Sequence, residues 1–206
     1  MDEMYMRMIE NTLYFLALIN PASKIFLLST MQPAYTGKEL WNVSLRSTLV
    51  AFCMLFVLAA TGKFLLVNIF HVQMYSLNVA GGIILFIIGL TAVGKGRFFE
   101  ETALKKVSEI SVVPLASPLI AGPGTITAAI YYASRQGFVL TMACISLALF
   151  INFVIMLSSL LIGNGLERIN ATGPLIKITG LIVSAVATQM VFSGVQEWVV
   201  MMMHLR

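Results

Sequence analysis

Two short proline-bearing stretches hold the residues whose types and spacing could do chemistry. The longer is Val113-Pro114-Leu115-Ala116-Ser117-Pro118-Leu119-Ile120-Ala121-Gly122-Pro123-Gly124-Thr125-Ile126-Thr127, with three prolines and two glycines inside an apolar region long enough to cross a bilayer. The shorter is Asn20-Pro21-Ala22-Ser23, in the first apolar segment. An interior proline removes a helical hydrogen bond and clashes with the preceding turn, and a glycine loosens the backbone. In hydrocarbon the freed groups survive only where protein or a water-filled cavity satisfies them. Pro118 to Gly124 therefore reads as a helix break facing the protein interior. Two broken helices in matching places point to the binding site of a secondary transporter.

An unwound helix leaves two half-helices, with about +0.5 charge at an N-terminal end and about −0.5 at a C-terminal end. Free N–H groups near Gly122 and Gly124 suit a carboxylate, and free carbonyls near Ser117 or Ile19 suit an ammonium or a small cation. A zwitterionic amino acid carries both charges. Asn20, Ser23, Ser117, Thr125 and Thr127 add neutral hydrogen-bonding groups. The plainer reading is a pair of proline kinks that only shape the bundle. Two kinks at matching positions, one flanked by glycines, favour a site.

Lys24 is the one basic residue well inside a predicted span. A charge at a helix centre costs about 2.5–3.5 kcal/mol on insertion. It could anchor a substrate carboxylate or act as a gate on a half-helix carbonyl end. Its stem could also snorkel to the headgroups, since the seven residues to Met31 span about 10 Å of helix. Of the nine acids, Glu10 and Glu197 lie near predicted segment ends and the rest in loops or the N-terminal tail. A coupled ion would then be held by neutral oxygens, or a proton by Glu10 or Glu197. His71 and His204 are interfacial, and Cys53 and Cys144 lack the spacing of a metal or disulfide set. No HExxH or GxSxG occurs, so neither an enzyme, a metal site nor a cofactor is expected.

The elements that must position these residues are membrane helices. Of the 206 residues, 59% are hydrophobic and 11% charged, where about 25% charged is usual for a soluble domain. The mean hydropathy is +0.92. The thirteen Lys and Arg are scattered and form no basic face, which argues against nucleic acid. The apolar runs define an all-α polytopic protein with six spans, at about 8–31, 47–70, 75–93, 111–133, 138–162 and 174–202. Helices 1 and 4 are the broken ones. Residues 95–110 form a charged cytoplasmic linker between a first repeat (1–94) and a second (111–206). Loops after the odd-numbered spans hold Lys38, Arg46, Lys95, Arg97, Lys105, Lys106, Arg168 and Lys177. The other side holds Arg7, Lys63, Arg135 and Arg206, so the bias predicts that both termini lie outside the cytoplasm.

Three spans per half mean that the halves enter the membrane in opposite orientations. Weak similarity supports a duplication: Asn20-Pro21-Ala22-Ser23 aligns with Gly122-Pro123-Gly124-Thr125 at an offset of 102, Thr61-Gly62 with Ile162-Gly163 at 101, and Val79-Ala80-Gly81-Gly82-Ile83-Ile84 with Ile178-Thr179-Gly180-Leu181-Ile182-Val183 at 99. Gly180, Ser184 and Thr188, and Gly81 and Gly89, predict close helix packing. Asn68, Asn78 and Asn152 could bond between helices.

Asn20-Pro21, the run from Pro114 to Ile126 and Ala80-Gly81-Gly82-Ile83 resemble the MarC family of bacterial integral membrane proteins, across essentially the whole chain. The resemblance implies a six-helix inner-membrane protein of the neutral amino acid transporter group, with an inverted three-plus-three repeat. It also implies transport of glycine, alanine and similar small neutral amino acids, coupled to a proton or sodium gradient. The family's broken-helix site falls on Asn20, Pro21, Gly122, Pro123 and Gly124, while Lys24 departs from its pattern. Alternatives are export or a channel for another small solute, or a scaffold that transports nothing. The lipid bilayer is an obligate partner, and the sequence leaves homo-oligomerisation open.

Overall fold

The computed structural model describes residues 2–30, 35–96, 120–168 and 170–204. These are almost wholly helical, with no strand among the described residues. In chain order the helices are α1 (Asp2–Ile19), α2 (Pro21–Thr30), α3 (Gly37–Phe64, continued by a π-helical turn over Leu65–Ile69) and α4 (Met74–Lys95). After the undescribed stretch come α5 (Pro123–Gln136), α6 (Phe138–Leu157), α7 (Ser159–Arg168) and α8 (Thr172–His204). Five described stretches are long and apolar enough to span a bilayer: Glu3–Ser29, Gly37–Ile69, Met74–Lys95, Phe138–Leu157 and Thr172–Met203. Large apolar side chains such as Ile87, Leu90, Leu181 and Phe192 cover the outside, as lipid-facing surfaces require.

Local chemistry explains several boundaries and corrects others. The second span begins about ten residues before position 47, because Thr36 and Glu39 form a capping box that starts α3 at Gly37. Lys38, Trp41 and Arg46 consequently ride on the helix. The third runs to Lys95, two residues past the expected end at position 93, where Gly96 adopts a left-handed conformation (φ 66°) and closes it. The linker therefore starts at Gly96, and residues 97–110 lie outside the described ones. The fifth span is interrupted, contrary to expectation, at Ser158. There the chain turns, the Ser158 N–H bonds to the Val154 carbonyl at 3.2 Å and its Oγ to the same carbonyl at 3.1 Å. Gly163-Asn164-Gly165, expected to close that span, lies within α7. Asn68 is exposed rather than set between helices, whereas Asn78 and Asn152 are buried.

Three helix pairs build the core, and each runs antiparallel. The longest contact is α4 on α8: Gly82 packs on Ala187 and Met190, Gly89 on Gly180 and Ser184, and Gly194 on Tyr75 and Val79. A Cβ at Gly82 would lie 2.8 Å from the Ala187 carbonyl, so only glycine lets these backbones meet. In the pair α3–α6, Trp41 stacks on Phe153 (5.3 Å between centroids) and Phe56 on Phe138 (5.2 Å). In the pair α1–α5, Tyr14 and Phe15 pack on Tyr132 at 5.4 and 5.8 Å, and Asn11 Nδ2 donates to Gln136 Oε1 at 2.5 Å. Two further contacts between the halves, α1 on α6 and α3 on α5, are more extensive than that of α1 on α5, and α2 lies on α7. Two glycine contacts mirror each other: Gly62 of α3 abuts Ile130 of α5, and Gly163 of α7 abuts Ser29 of α2. An offset of 101 turns Gly62 into Gly163 and Ser29 into Ile130.

Candidate functional site

Both proline motifs open a helix. Pro21 is the first residue of α2 and Pro123 the first of α5, where a missing N–H costs nothing and the fixed φ suits the first turn. Both breaks are enclosed by protein: Ile19, Asn20, Ser23, Ile120, Ala121, Gly124 and Thr125 are buried, and Pro21, Gly122 and Pro123 half-buried.

At the first break α1 stops because Asn20 turns left-handed (φ 54°), a conformation asparagine tolerates better than most residues. The Asn20 N–H still bonds to the Leu16 carbonyl at 2.9 Å. Pro21 offers no N–H to the carbonyl of Ala17, so the end of α1 presents acceptors without their usual helical donors. Side chains from α2 fold back to supply them. The Asn20 carbonyl accepts from the Ser23 N–H at 3.2 Å, from Ser23 Oγ at 2.7 Å and from Lys24 Nζ at 3.4 Å. Lys24 Nζ also donates to the Ile19 carbonyl. Lys24 is 1% exposed, so its stem does not snorkel to the headgroups. Of the roles its position allowed, the structure matches an ammonium seated on a half-helix carbonyl end. The Ile19 carbonyl, expected to await a ligand, is already taken.

The second break is built differently. Gly122 is extended (φ −79°, ψ 174°) at the position before α5, and its carbonyl accepts from the Ile126 N–H at 2.9 Å. Glycine has no side chain to cap the first turn, and no side chain among the described residues caps it. The N–H groups at this end therefore lack the side-chain cap that most helix starts carry. Gly124 is held tightly, since a Cβ there would meet Leu85 of α4 at 2.8 Å. Thr127 packs against Gly81, one of the glycines expected to mediate close packing. Ser117 and Pro118 lie outside the described residues.

The C-terminal end of α5 carries a constellation that the sequence reading did not assemble. Glu197 of α8 accepts from Tyr131 Oη at 2.5 Å and pairs with Arg135 Nη2 at 2.8 Å. Arg135 also lies over the Tyr131 ring, 5.9 Å from its centroid. Arg135 and Glu197 face a polar cavity of about 280 Å³ shared with Lys63, Gln73, Tyr75 and Ser134. Together with the Asn11–Gln136 bond, they tie the end of α5 to both α8 and α1. The spacing Tyr131-x-x-x-Arg135 places the two on one helix face, which was readable. Their partner sixty residues on was not.

An all-helical membrane protein with two proline-opened helices buried in its core is the class that fold and site define. The chain matches the family model for MarC family integral membrane proteins over residues 5–199, and it belongs to that family. It is similar to a UPF0056 membrane protein of Pyrococcus horikoshii, 32% identical over 191 residues that cover 93% of this chain and 94% of the relative. A UPF0056 membrane protein of Methanocaldococcus jannaschii is 30% identical, covering 87% and 91%. One from Aquifex aeolicus is 29% identical and covers 96% of each chain. No solved structure matches the chain. The protein is thus an integral, multi-pass membrane protein.

Proposed function

We propose that the protein is a secondary transporter of small neutral amino acids of glycine or alanine size, working by alternating access and coupled to a proton or sodium gradient. The observation that carries this reading is the pair of buried helix breaks, each opened by a proline, at positions related by an offset of 102. Broken helices with complementary ends are the usual means by which transporters hold a small charged solute at mid-membrane. The α5 start, without a side-chain cap, suits the substrate carboxylate, with Gly122, Pro123, Gly124 and Thr125 around it. Asn20, Pro21, Ser23 and Ser117 furnish the opposing groups.

An inverted three-plus-three repeat is part of the proposal. It is supported by the antiparallel run of α1 with α5, α3 with α6 and α4 with α8, as such symmetry requires. The exchange of Gly62–Ile130 for Gly163–Ser29 under one offset supports it further. From the family we place the protein in the bacterial inner membrane, and by the positive-inside bias with both termini periplasmic, so that the Glu197–Arg135–Tyr131 cluster lies on the outer side.

The test is uptake of radiolabelled glycine and alanine into proteoliposomes, with imposed proton or sodium gradients, beside Gly122→Leu. Saturable uptake driven by one gradient and lost in the variant is the expected result. Uptake no greater than that of empty liposomes, with the protein shown to be folded, would refute the substrate class.

A further inference from the structure

The carbonyl end of α1 has the chemistry of a monovalent-cation site. Main-chain oxygens at a half-helix C-terminus carry partial negative charge, and transporters use such ends to coordinate sodium. Here Pro21 withholds a donor from the last turn and the left-handed Asn20 turns its carbonyl out of the helical ladder. What the carbonyls of Ile19 and Asn20 receive is the ammonium of Lys24, carried three residues into α2 and almost wholly buried.

At the second proline no position related to Lys24 supplies a lysine. The residue related to Lys24 by the offset of 102 is Ile126, and at 101 it is Thr125, so neither brings a charge. A buried ammonium is costly in a membrane interior, and it is unnecessary for helix breakage. Its placement on the same oxygens that would bind a free cation gives it a specific role.

We propose that Lys24 is a tethered cation. Its ammonium fills a latent site for a monovalent cation on the carbonyls of Ile19 and Asn20, so this break takes no exchangeable sodium, and no substrate ammonium while Lys24 stays seated. Shortening the side chain would open the site to sodium, lithium or a small alkylammonium ion. For coupling, the consequence rests on the transport reading above: any sodium that drives transport binds elsewhere. The site itself can be read without transport.

The experiment is thermal unfolding of the full-length purified protein in detergent, titrated with sodium, lithium or methylammonium chloride against choline chloride at constant ionic strength. Wild type is expected to unfold at one temperature in all four salts. Lys24→Ala is expected to unfold lower in choline and to recover saturably, by roughly 5 °C, as one of the small cations fills the vacated position. If the alanine variant does not fold, Lys24→Met, which keeps most of the stem, is titrated in the same way and is expected to respond to the same ions. Unfolding temperatures of a folded variant that ignore the cation, or that respond as wild type does, would overturn the proposal. Because no flux is measured, failure here leaves the transport reading standing, and absence of uptake leaves this titration interpretable.

Discussion

The two helix breaks share a proline and differ in how their exposed backbone is treated. At the first, the carbonyls of Ile19 and Asn20 are served from within the chain, by Ser23 and by the Lys24 ammonium. At the second, Gly122 leaves the α5 start without a side-chain cap, while Leu85 closes in on Gly124. One break brings its own charge, and the other has no charged partner or side-chain cap among the described residues. A duplicated pair of kinks needed only for shape would have no reason to diverge in this way. Divergence is expected if one end has become part of the protein's fixed electrostatics while the other is kept for a ligand.

The sharpest way to break that comparison is to give the second break a charge of its own. Gly122→Asp supplies a carboxylate at the position before α5, where aspartate caps better than glycine by only about a few tenths of a kcal/mol. In a variant shown to be folded by a cooperative unfolding transition, uptake is expected to vanish, because the new carboxylate competes for the N–H groups assigned to the substrate. A variant that transports normally would show that those groups are not the binding site.

Crowding the same break is the next largest effect. In Gly124→Leu the added side chain runs into Leu85, an overpacking worth roughly 1–3 kcal/mol. Uptake is expected to be lost and partly restored by Leu85→Ala in the same chain. Its repeat mate Ala22 stands beside a small cavity of about 10 Å³ in α2, and Ala22→Gly is expected to cost only about 0.5–1 kcal/mol and to keep uptake. Equal damage at both positions would erase the difference in packing.

These contrasts also mark what could be read in the chain before its fold. A proline deletes its own N–H whatever surrounds it, so the helix starts at Pro21 and Pro123 were legible. So was glycine-mediated packing of α4 on α8, because residue size sets how closely backbones approach. The Thr36-x-x-Glu39 cap was present in the sequence and its spacing was sufficient to start α3 earlier. The Lys24 contact was not legible. Whether a long side chain snorkels outward or folds back depends on which way α2 rolls against α6, α7 and α8, and that is a tertiary matter. Nor could Ser158 have been foreseen as an interruption, since neither a proline nor a glycine marks it.

Backbone conformation separates the breaks by a smaller amount. Asn20 is left-handed whereas Gly122 is extended, so Asn20→Ala is expected to destabilise by about 1–2 kcal/mol and Asn20→Gly by much less. Chemical denaturation of the two variants measures this directly. Equal stability of the alanine and glycine variants would mean that the turn relaxes without strain. The smallest effect is expected at the outer end of α5. Glu197→Gln weakens the pair with Arg135, a half-exposed contact worth roughly 1 kcal/mol, and hydrogen exchange should accelerate in the last turn of α5 while α2 is unaffected.

Counterflow tests the central claim most directly, that the second break belongs to a saturable site for a small neutral amino acid. Proteoliposomes loaded with unlabelled alanine are diluted into trace labelled alanine, and accumulation inside is followed with time. Our account predicts a transient overshoot in wild type that is absent in Gly122→Asp. Labelled alanine that merely equilibrates without overshoot, or an overshoot undiminished in the variant, would contradict it.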